Sequence, residues 1–220
     1  MADGRHRAGW QAWSRADAAV RRRRSAGGDP SIRPRPRSTS SLPSVRIRDA
    51  RPGDERAVAD VHVRSWKTAY RGLLPDDYLD ALRPEDRIPG YAFGSTSDPV
   101  TLLALGEDGG LLGFATFGAS RDDDAPAAGE LFALYVDPDR RRTGTGRALL
   151  DQTRARLAER GHGEAIAWVL RGNEDAERFY EADGWARDGA TRWEDPWGVR
   201  SEVFRLRRAL TTGGASAASR

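Results

Sequence analysis

The sequence predicts an α/β (α+β) fold, in which a mixed, mainly antiparallel sheet of six or seven strands carries helices on both faces. Short apolar runs of strand length alternate with amphipathic helical segments between residues 45 and 210. Glycine-containing turns separate some of these runs, as in β-hairpins. The chain has 220 residues, of which 38% are hydrophobic and 31% charged, so it fits one ordinary domain.

Residues 1–44 differ in composition from the rest of the chain. They hold ten Arg and three Asp, a net charge of +7, whereas the remaining residues hold 26 basic and 30 acidic side chains, a net of −4. We therefore expect residues 1–44 to be a disordered Arg/Pro/Ser-rich extension, residues 45–210 the folded domain, and residues 211–220 a flexible tail. The charge of the domain argues against nucleic-acid binding, except through the extension, where Trp10 and Trp13 could form an amphipathic segment.

The residue content excludes several kinds of site. The chain has no cysteine, so neither a disulfide, nor a zinc-thiolate site, nor a cysteine nucleophile is predicted. Its three histidines, His6, His62 and His162, lack the spacing of a metal motif, and we expect no metal. No apolar run reaches the ~18 residues of a membrane span and no secretory signal begins the chain, so we expect a cytoplasmic protein without membrane contact.

The first elements follow from local patterns. Residues 45–48 alternate between apolar and polar as a half-buried strand does. Pro52 is expected to open a helix, because proline is favoured in the first turn, and apolar positions from Val58 to Ala69 recur at helical spacing. Residues 71–75 break this helix, and residues 76–82 predict a short second one.

The middle of the chain predicts strands. Residues 100–105 and 111–117 flank a turn that contains two glycines, which predicts a hairpin. Residues 131–136 form a continuous apolar run, typical of a central strand buried on both faces.

The last part of the domain alternates again between helix and strand. The pattern predicts a helix over residues 145–160, a buried strand over 165–170, and a helix over 174–182 that ends near Gly184. Two more strands are predicted from Trp185 onward, the second including residues 202–206.

The loop between the buried strand and the long helix indicates a phosphate site. A helix N-terminus offers unpaired amides and a partial positive charge, and glycines at 144 and 146 let a phosphate approach the backbone. A Walker loop requires a Gly-Lys pair that is absent, and the dinucleotide fingerprint requires a third glycine where Leu149 stands. An ordinary strand–helix turn is the alternative.

The remaining pattern, Arg141-x-x-Gly144-x-Gly146, resembles the coenzyme A loop of the GNAT superfamily of N-acetyltransferases. A second segment, Asn173-x-x-Ala176-x-x-Phe179-Tyr180-x-x-x-Gly184-Trp185, resembles the late helix of that superfamily. The order of strands and helices is also similar, so the resemblance covers about three quarters of the chain.

The resemblance implies that acetyl-coenzyme A is a co-substrate and that the Val136 amide polarises its thioester carbonyl. The pantetheine arm would lie like an extra strand between two parallel strands that separate after Val136 and Leu170. Asn173 would contact this arm, or simply cap its helix. The implied coenzyme A contacts are Leu134, Tyr135, Val136, Arg141, Arg142, Thr143, Gly144, Thr145, Gly146, Arg147, Asn173, Ala176 and Phe179.

Two catalytic residues are implied by the same resemblance. Tyr180 matches the general acid that protonates the departing thiolate; a phenol with a pKa near 10 makes this transfer uphill by roughly 2 kcal/mol unless the site lowers that pKa. Its alternative role is a core aromatic residue. Glu130 aligns with the general base of part of the superfamily, and its alternative is a glutamate at a strand edge.

The acceptor is expected to be a primary amine on a small molecule or peptide, acetylated directly in a ternary complex, in an acidic, aromatic-lined cleft. Trp66, Tyr70 and Leu73 are candidate acceptor contacts, with Trp193 and Trp197 from the last hairpin; core packing is their alternative. A silent acyl-coenzyme A sensor and a nucleic-acid adaptor acting through residues 1–44 are the rival functions. A homodimer is compatible with the sequence.

Overall fold

Seven strands form one sheet in the computed structural model, which describes residues 45–94, 98–194 and 199–210. The order across the sheet is β1-β2-β3-β4-β5-β7-β6, with β4 and β5 parallel and the other neighbours antiparallel. The predicted fold class is therefore confirmed. The strands are β1 (Arg46–Asp49), β2 (Val100–Leu105), β3 (Leu111–Ala119), β4 (Gly129–Val136), β5 (Glu164–Leu170), β6 (Ala186–Glu194) and β7 (Ser201–Ala209).

Helices cover both faces of this sheet. On one face, Val58 and Val61 of the first helix pack with Phe114 of β3. On the other face, Leu149 and Leu157 of the third helix pack with the rest of the core. None of the helices described is long and apolar enough to cross a membrane. They are α1 (Glu55–Ala69), α2 (Asp76–Ala81), α3 (Thr145–Glu159) and α4 (Glu174–Glu181).

The start of α1 corrects one expectation, because Pro52 lies in a turn and the helix begins at Glu55. Gly53 has φ +101°, a conformation that a helix cannot include. The Asp54 carboxylate accepts the Arg51 amide at 2.7 Å and pairs with Arg48 at 2.7 Å, which closes the turn.

The parallel strands separate earlier than the sequence predicts. Pairing between β4 and β5 ends at Leu131 and Ala167, whereas separation was expected only after Val136 and Leu170. The register between β3 and β4 shifts at this point. Phe117 pairs with Leu131 and Thr116 pairs with Ala133, which leaves Phe132 without a partner in β3. Such a bulge bends the strand that carries the extra residue, here at Phe132, so β4 turns away from β5.

A buried carboxylate holds the sheet and α3 together. Asp183, only 3% exposed, follows α4 and lies 3.2 Å from Arg147, 3.1 Å from Arg154 and 3.0 Å from Arg208. The Trp185 indole also donates to it at 2.9 Å. Because a buried charge requires such partners, these contacts fix α3 relative to β7.

Removing residues 1–44 is expected to leave the melting temperature unchanged, because the sheet and its helices are built from residues 45–210. A change of 1 kcal/mol would shift the melting temperature of a domain this size by about 2–4 °C. Thermal denaturation of the full-length and truncated proteins tests this, and a larger fall would show that the extension packs on the domain.

Candidate functional site

A cleft of about 560 Å³ opens where β4 and β5 separate. It brings together twelve of the thirteen predicted coenzyme A contacts, Thr143 being the exception, and it also includes Tyr180 and Tyr70. Thr143 lies beside the cleft, where its hydroxyl donates to the Arg140 carbonyl at 2.8 Å. Three separate segments of the chain, within residues 65–70, 131–147 and 168–180, therefore converge on one site.

The edge of β4 presents backbone groups to this cleft. The Asp137 amide donates to the Leu112 carbonyl at 2.8 Å, toward β3. Because the groups of successive residues alternate in direction along an antiparallel ladder, Val136 and Leu134 turn their N–H and C=O groups away from β3 and into the opening. Ser65 of α1 donates to the Val136 carbonyl at 3.0 Å. The N–H group of Val136 is thus positioned to donate a hydrogen bond to an oxygen of a ligand in the cleft.

The loop before α3 forms the second wall. Gly144 precedes the helix with φ +84°, and Arg142 also adopts a left-handed conformation, with φ +60°. The first helical bond joins the Ala148 amide to the Gly144 carbonyl at 3.0 Å, so the amides of the intervening residues have no partner within the helix. These amides and the helix dipole favour an anion at this end of the cleft.

Arginine side chains add charge to the same wall. Arg140, Arg141 and Arg142 are exposed, and no ion pair involves them within the described part of the chain. Guanidinium groups bind phosphate oxygens through paired N–H donors. Sequence reasoning did not single out Arg140, although its place in a run of three arginines was the available signal.

Asn173 caps α4, since its side-chain oxygen accepts the Ala176 amide at 3.2 Å. The side chain also lines the cleft, between β5 and α4. Capping uses only the carboxamide oxygen, so the NH₂ group remains a donor for a ligand. The two roles considered for this residue are thus compatible.

Tyr180 lies under the cleft on α4 and is 8% exposed. Its ring packs at 5.3 Å from Phe179 and 5.5 Å from Trp185. Burial raises the pKa of Tyr180, with a further contribution from Tyr135. The phenol therefore stays protonated at neutral pH, as a proton donor must, but its proton transfer is more uphill than for an ordinary tyrosine.

The structure does not bring Glu130 into the cleft. Its side chain is buried on β4, 1% exposed, and pairs with the Arg121 guanidinium through both carboxylate oxygens. The Arg121 backbone amide donates to it at 3.1 Å as well. This arrangement arises because the segment after β3 folds back over the start of β4.

The acceptor candidates have different environments. Trp66 is 3% exposed and packs in the core under α1, while Tyr70 lines the cleft with its hydroxyl 3.3 Å from that of Tyr135. Leu73, 36% exposed, is absent from the cleft lining. Trp193 is 59% exposed on β6. Trp197 lies outside the described residues.

The sequence missed two aromatic residues that flank the point where the strands separate, Phe132 and Trp168. Each carries an arginine on its face, Arg121 at 4.2 Å from the Phe132 ring and Arg192 at 3.9 Å from the Trp168 ring. Asp175 is the one carboxylate among the described residues that line the cleft, and it pairs with Arg178 at 2.7 Å, so the lining is less acidic than we expected. Within the described residues, no group of three or more His, Asp or Glu side chains could hold a metal.

Comparison with known proteins assigns the class of the protein. The sequence profile of the acetyltransferase (GNAT) family matches residues 63–185. The chain is 36% identical over 138 residues to the uncharacterized N-acetyltransferase YuaI of Bacillus subtilis, a match that covers 63% of this chain and 78% of YuaI. It is 30% identical to the probable N-acetyltransferase Rv2775 of Mycobacterium tuberculosis over 175 residues, 77% of this chain and 98% of that protein.

Among solved structures, the PaiA N-acetyltransferase of Thermoplasma acidophilum in complex with coenzyme A has the same fold. The TM-score is 0.61 at 22% identity, covering 76% of this chain and 99% of PaiA. The GNAT family profile spans more than half of the present chain. The protein therefore belongs to the GNAT acetyltransferase family.

Proposed function

We propose that this protein transfers an acetyl group from acetyl-coenzyme A to a primary amine, directly, in a ternary complex. The observation that carries the proposal is the convergence of three features in one cleft: the backbone edge of β4, the N-terminus of α3 and the side chain of Tyr180. The PaiA structure, which shares this fold, contains coenzyme A.

In this proposal the cofactor follows the two walls of the cleft. Its pyrophosphate is held by the amides at the start of α3 and by the arginines of the preceding loop. Its pantetheine arm lies along β4 and pairs with the backbone of Leu134, as an added strand does. Asn173 donates its NH₂ group to the arm from the opposite side.

The transfer step conserves protons when the acceptor enters as a neutral amine. The nitrogen attacks the thioester carbonyl carbon, and the Val136 amide stabilises the oxyanion that forms. The C–S bond then breaks, and the coenzyme A thiolate takes a proton from Tyr180. The proton lost by the nitrogen restores the tyrosine, so amide and free thiol form without a net release of protons.

The direct test is to incubate the protein with acetyl-coenzyme A and an amine, and to measure free thiol and N-acetylated product together. The proposal requires thiol and product in equal amounts, formed only when both substrates are present. Thiol release that does not depend on any amine would exclude acetyl transfer as the reaction.

Asn173→Ala is expected to lower stability by about 1 kcal/mol, because the α4 cap is lost. It should also weaken acetyl-coenzyme A binding about 2- to 10-fold, the worth of one hydrogen bond. Asn173→Ser is the matched control: its hydroxyl restores the cap but not the NH₂ donor, so stability should recover while affinity stays low. Full recovery of affinity in the Ser variant would show that Asn173 acts only as a cap.

A further inference from the structure

The cleft contains a pair of hydroxyl groups from distant parts of the chain. Tyr70 follows α1 and Tyr135 lies on β4, and their hydroxyl oxygens are 3.3 Å apart. Both side chains line the cleft. Tyr135 directly precedes Val136, so the pair lies beside the amide that would hold the thioester carbonyl.

The ring of Tyr135 is fixed by its surroundings. It stacks on His62 at 5.0 Å with an interplanar angle of 19°, and it packs 5.6 Å from Phe114. Tyr70 is held edge-on against Trp66 at 5.2 Å. Since both rings are packed on several sides, their hydroxyls occupy defined positions before any ligand binds.

Both hydroxyls are uncharged at neutral pH. Burial raises the pKa of Tyr70 well above its usual range and also raises the pKa of Tyr135. A neutral phenol oxygen accepts hydrogen bonds from N–H groups. An amine bound in this way donates hydrogen bonds from its N–H groups to the two oxygens. Its lone pair stays available for attack on the thioester.

Two carboxylates beside the aromatic residues Phe132 and Trp168 are paired with arginines. Glu130 is paired with Arg121, as described above. Asp122 pairs with Arg192 at 2.8 Å and Arg205 at 3.0 Å, and it also accepts the Trp168 indole N–H at 2.9 Å. A carboxylate with such partners is already neutralised, and stabilising an ammonium ion would require breaking these pairs.

We propose that the paired hydroxyls of Tyr70 and Tyr135 bind the acceptor nitrogen as the uncharged amine, and that the acceptor is a weakly basic amine of the α-amino class on an apolar or aromatic body. The inference rests on the proposed acetyl transfer and names its substrate class. An α-amino group has a pKa of about 7.7–8.0 and a lysine-type amine about 10.4, so at pH 7 the former offers roughly 300-fold more free base. Phe132 and Trp168 suit the apolar body.

Phenylalaninamide and phenethylamine form a matched pair for the test, because they share an aromatic body and differ in the carboxamide that lowers the amine pKa. We expect kcat/KM for phenylalaninamide to exceed that for phenethylamine by at least 30-fold at pH 7 on the basis of their free-base fractions. For both, kcat/KM should rise about tenfold per pH unit and level off at the pKa of the amine itself. If kcat/KM for the two amines levels off at the same pH, a titrating group of the enzyme controls the reaction, and the proposal is overturned.

Tyr135→Phe should lower kcat/KM for phenylalaninamide about 10- to 100-fold. The affinity for acetyl-coenzyme A should be unchanged, because the substitution keeps the β4 backbone with which the pantetheine arm is proposed to pair. Tyr78→Phe is the control, because it also removes a phenol hydroxyl. Tyr78 is not among the residues that line the cleft, and its hydroxyl lies 3.3 Å from Arg87. Its kcat/KM should equal that of the unmodified protein. An equal fall in both variants, or preference for a polycationic amine such as spermidine, would contradict the role of the hydroxyl pair. If acetyl-coenzyme A fails to bind at all, the proposed function itself fails.

Discussion

Replacing Gly144 with Glu is expected to remove detectable binding of acetyl-coenzyme A, a loss of more than about 100-fold in affinity. Gly144 has φ +84° at the N-terminus of α3, so any side chain there strains the backbone, by about 1–2 kcal/mol. The added carboxylate would also project where the pyrophosphate is proposed to bind and would repel it. Calorimetric titration measures the affinity directly.

Two controls separate charge from backbone strain. Gly109 lies in the turn between β2 and β3 with φ +74°, and a Cβ atom there, as at Gly144, meets no atom within 4 Å. Gly109→Glu should therefore cost similar strain and leave binding intact. Gly144→Ala introduces the strain without the charge, and should weaken binding much less than Gly144→Glu. Unchanged affinity in Gly144→Glu would remove the phosphate-binding role of this loop.

Tyr180→Phe is expected to lower kcat about 10²- to 10⁴-fold, the usual contribution of a positioned general acid. The phenylalanine ring preserves the packing against Phe179 and Trp185, so acetyl-coenzyme A affinity and melting temperature should change little. The fall arises because the thiolate must then leave without a proton donor. Steady-state kinetics with a saturating amine, beside a titration with acetyl-coenzyme A, separate the two quantities.

The ratio of the two effects decides the role of Tyr180. If kcat and cofactor affinity fall together, the residue is a packing element of the cleft floor. If kcat is unchanged, the thiolate leaves by another route, for example with a proton from water, and the proposed mechanism loses its general acid.

The loop and helix N-terminus that form one wall of the cleft were predictable because their signals are local. The glycines at 144 and 146, the adjacent arginines and the end of a buried strand lie within twelve residues, and their geometry follows from the N-terminus of one helix. The capping role of Asn173 was likewise weighed from its place before a helix. The succession of strands and helices along the chain followed from apolar periodicity.

The surroundings of Tyr70, Glu130 and Tyr135 were not predictable in the same way, because their contacts join separate segments. The early separation of β4 from β5 depends on a bulge at Phe132, which leaves no mark on the apolar run that contains it. Glu130 is engaged by Arg121, nine residues earlier, and Tyr70 meets Tyr135 across 65 residues. Such pairings arise only when the sheet has assembled.

The most direct test of acetyl transfer is calorimetric titration of the purified protein with acetyl-coenzyme A, followed by thiol-release assays with phenylalaninamide, phenethylamine and spermidine. We predict saturable binding at one site per chain and thiol release with phenylalaninamide in preference to the other two amines. Binding without release for any amine would indicate an acyl-coenzyme A sensor, and the absence of binding would contradict the central claim.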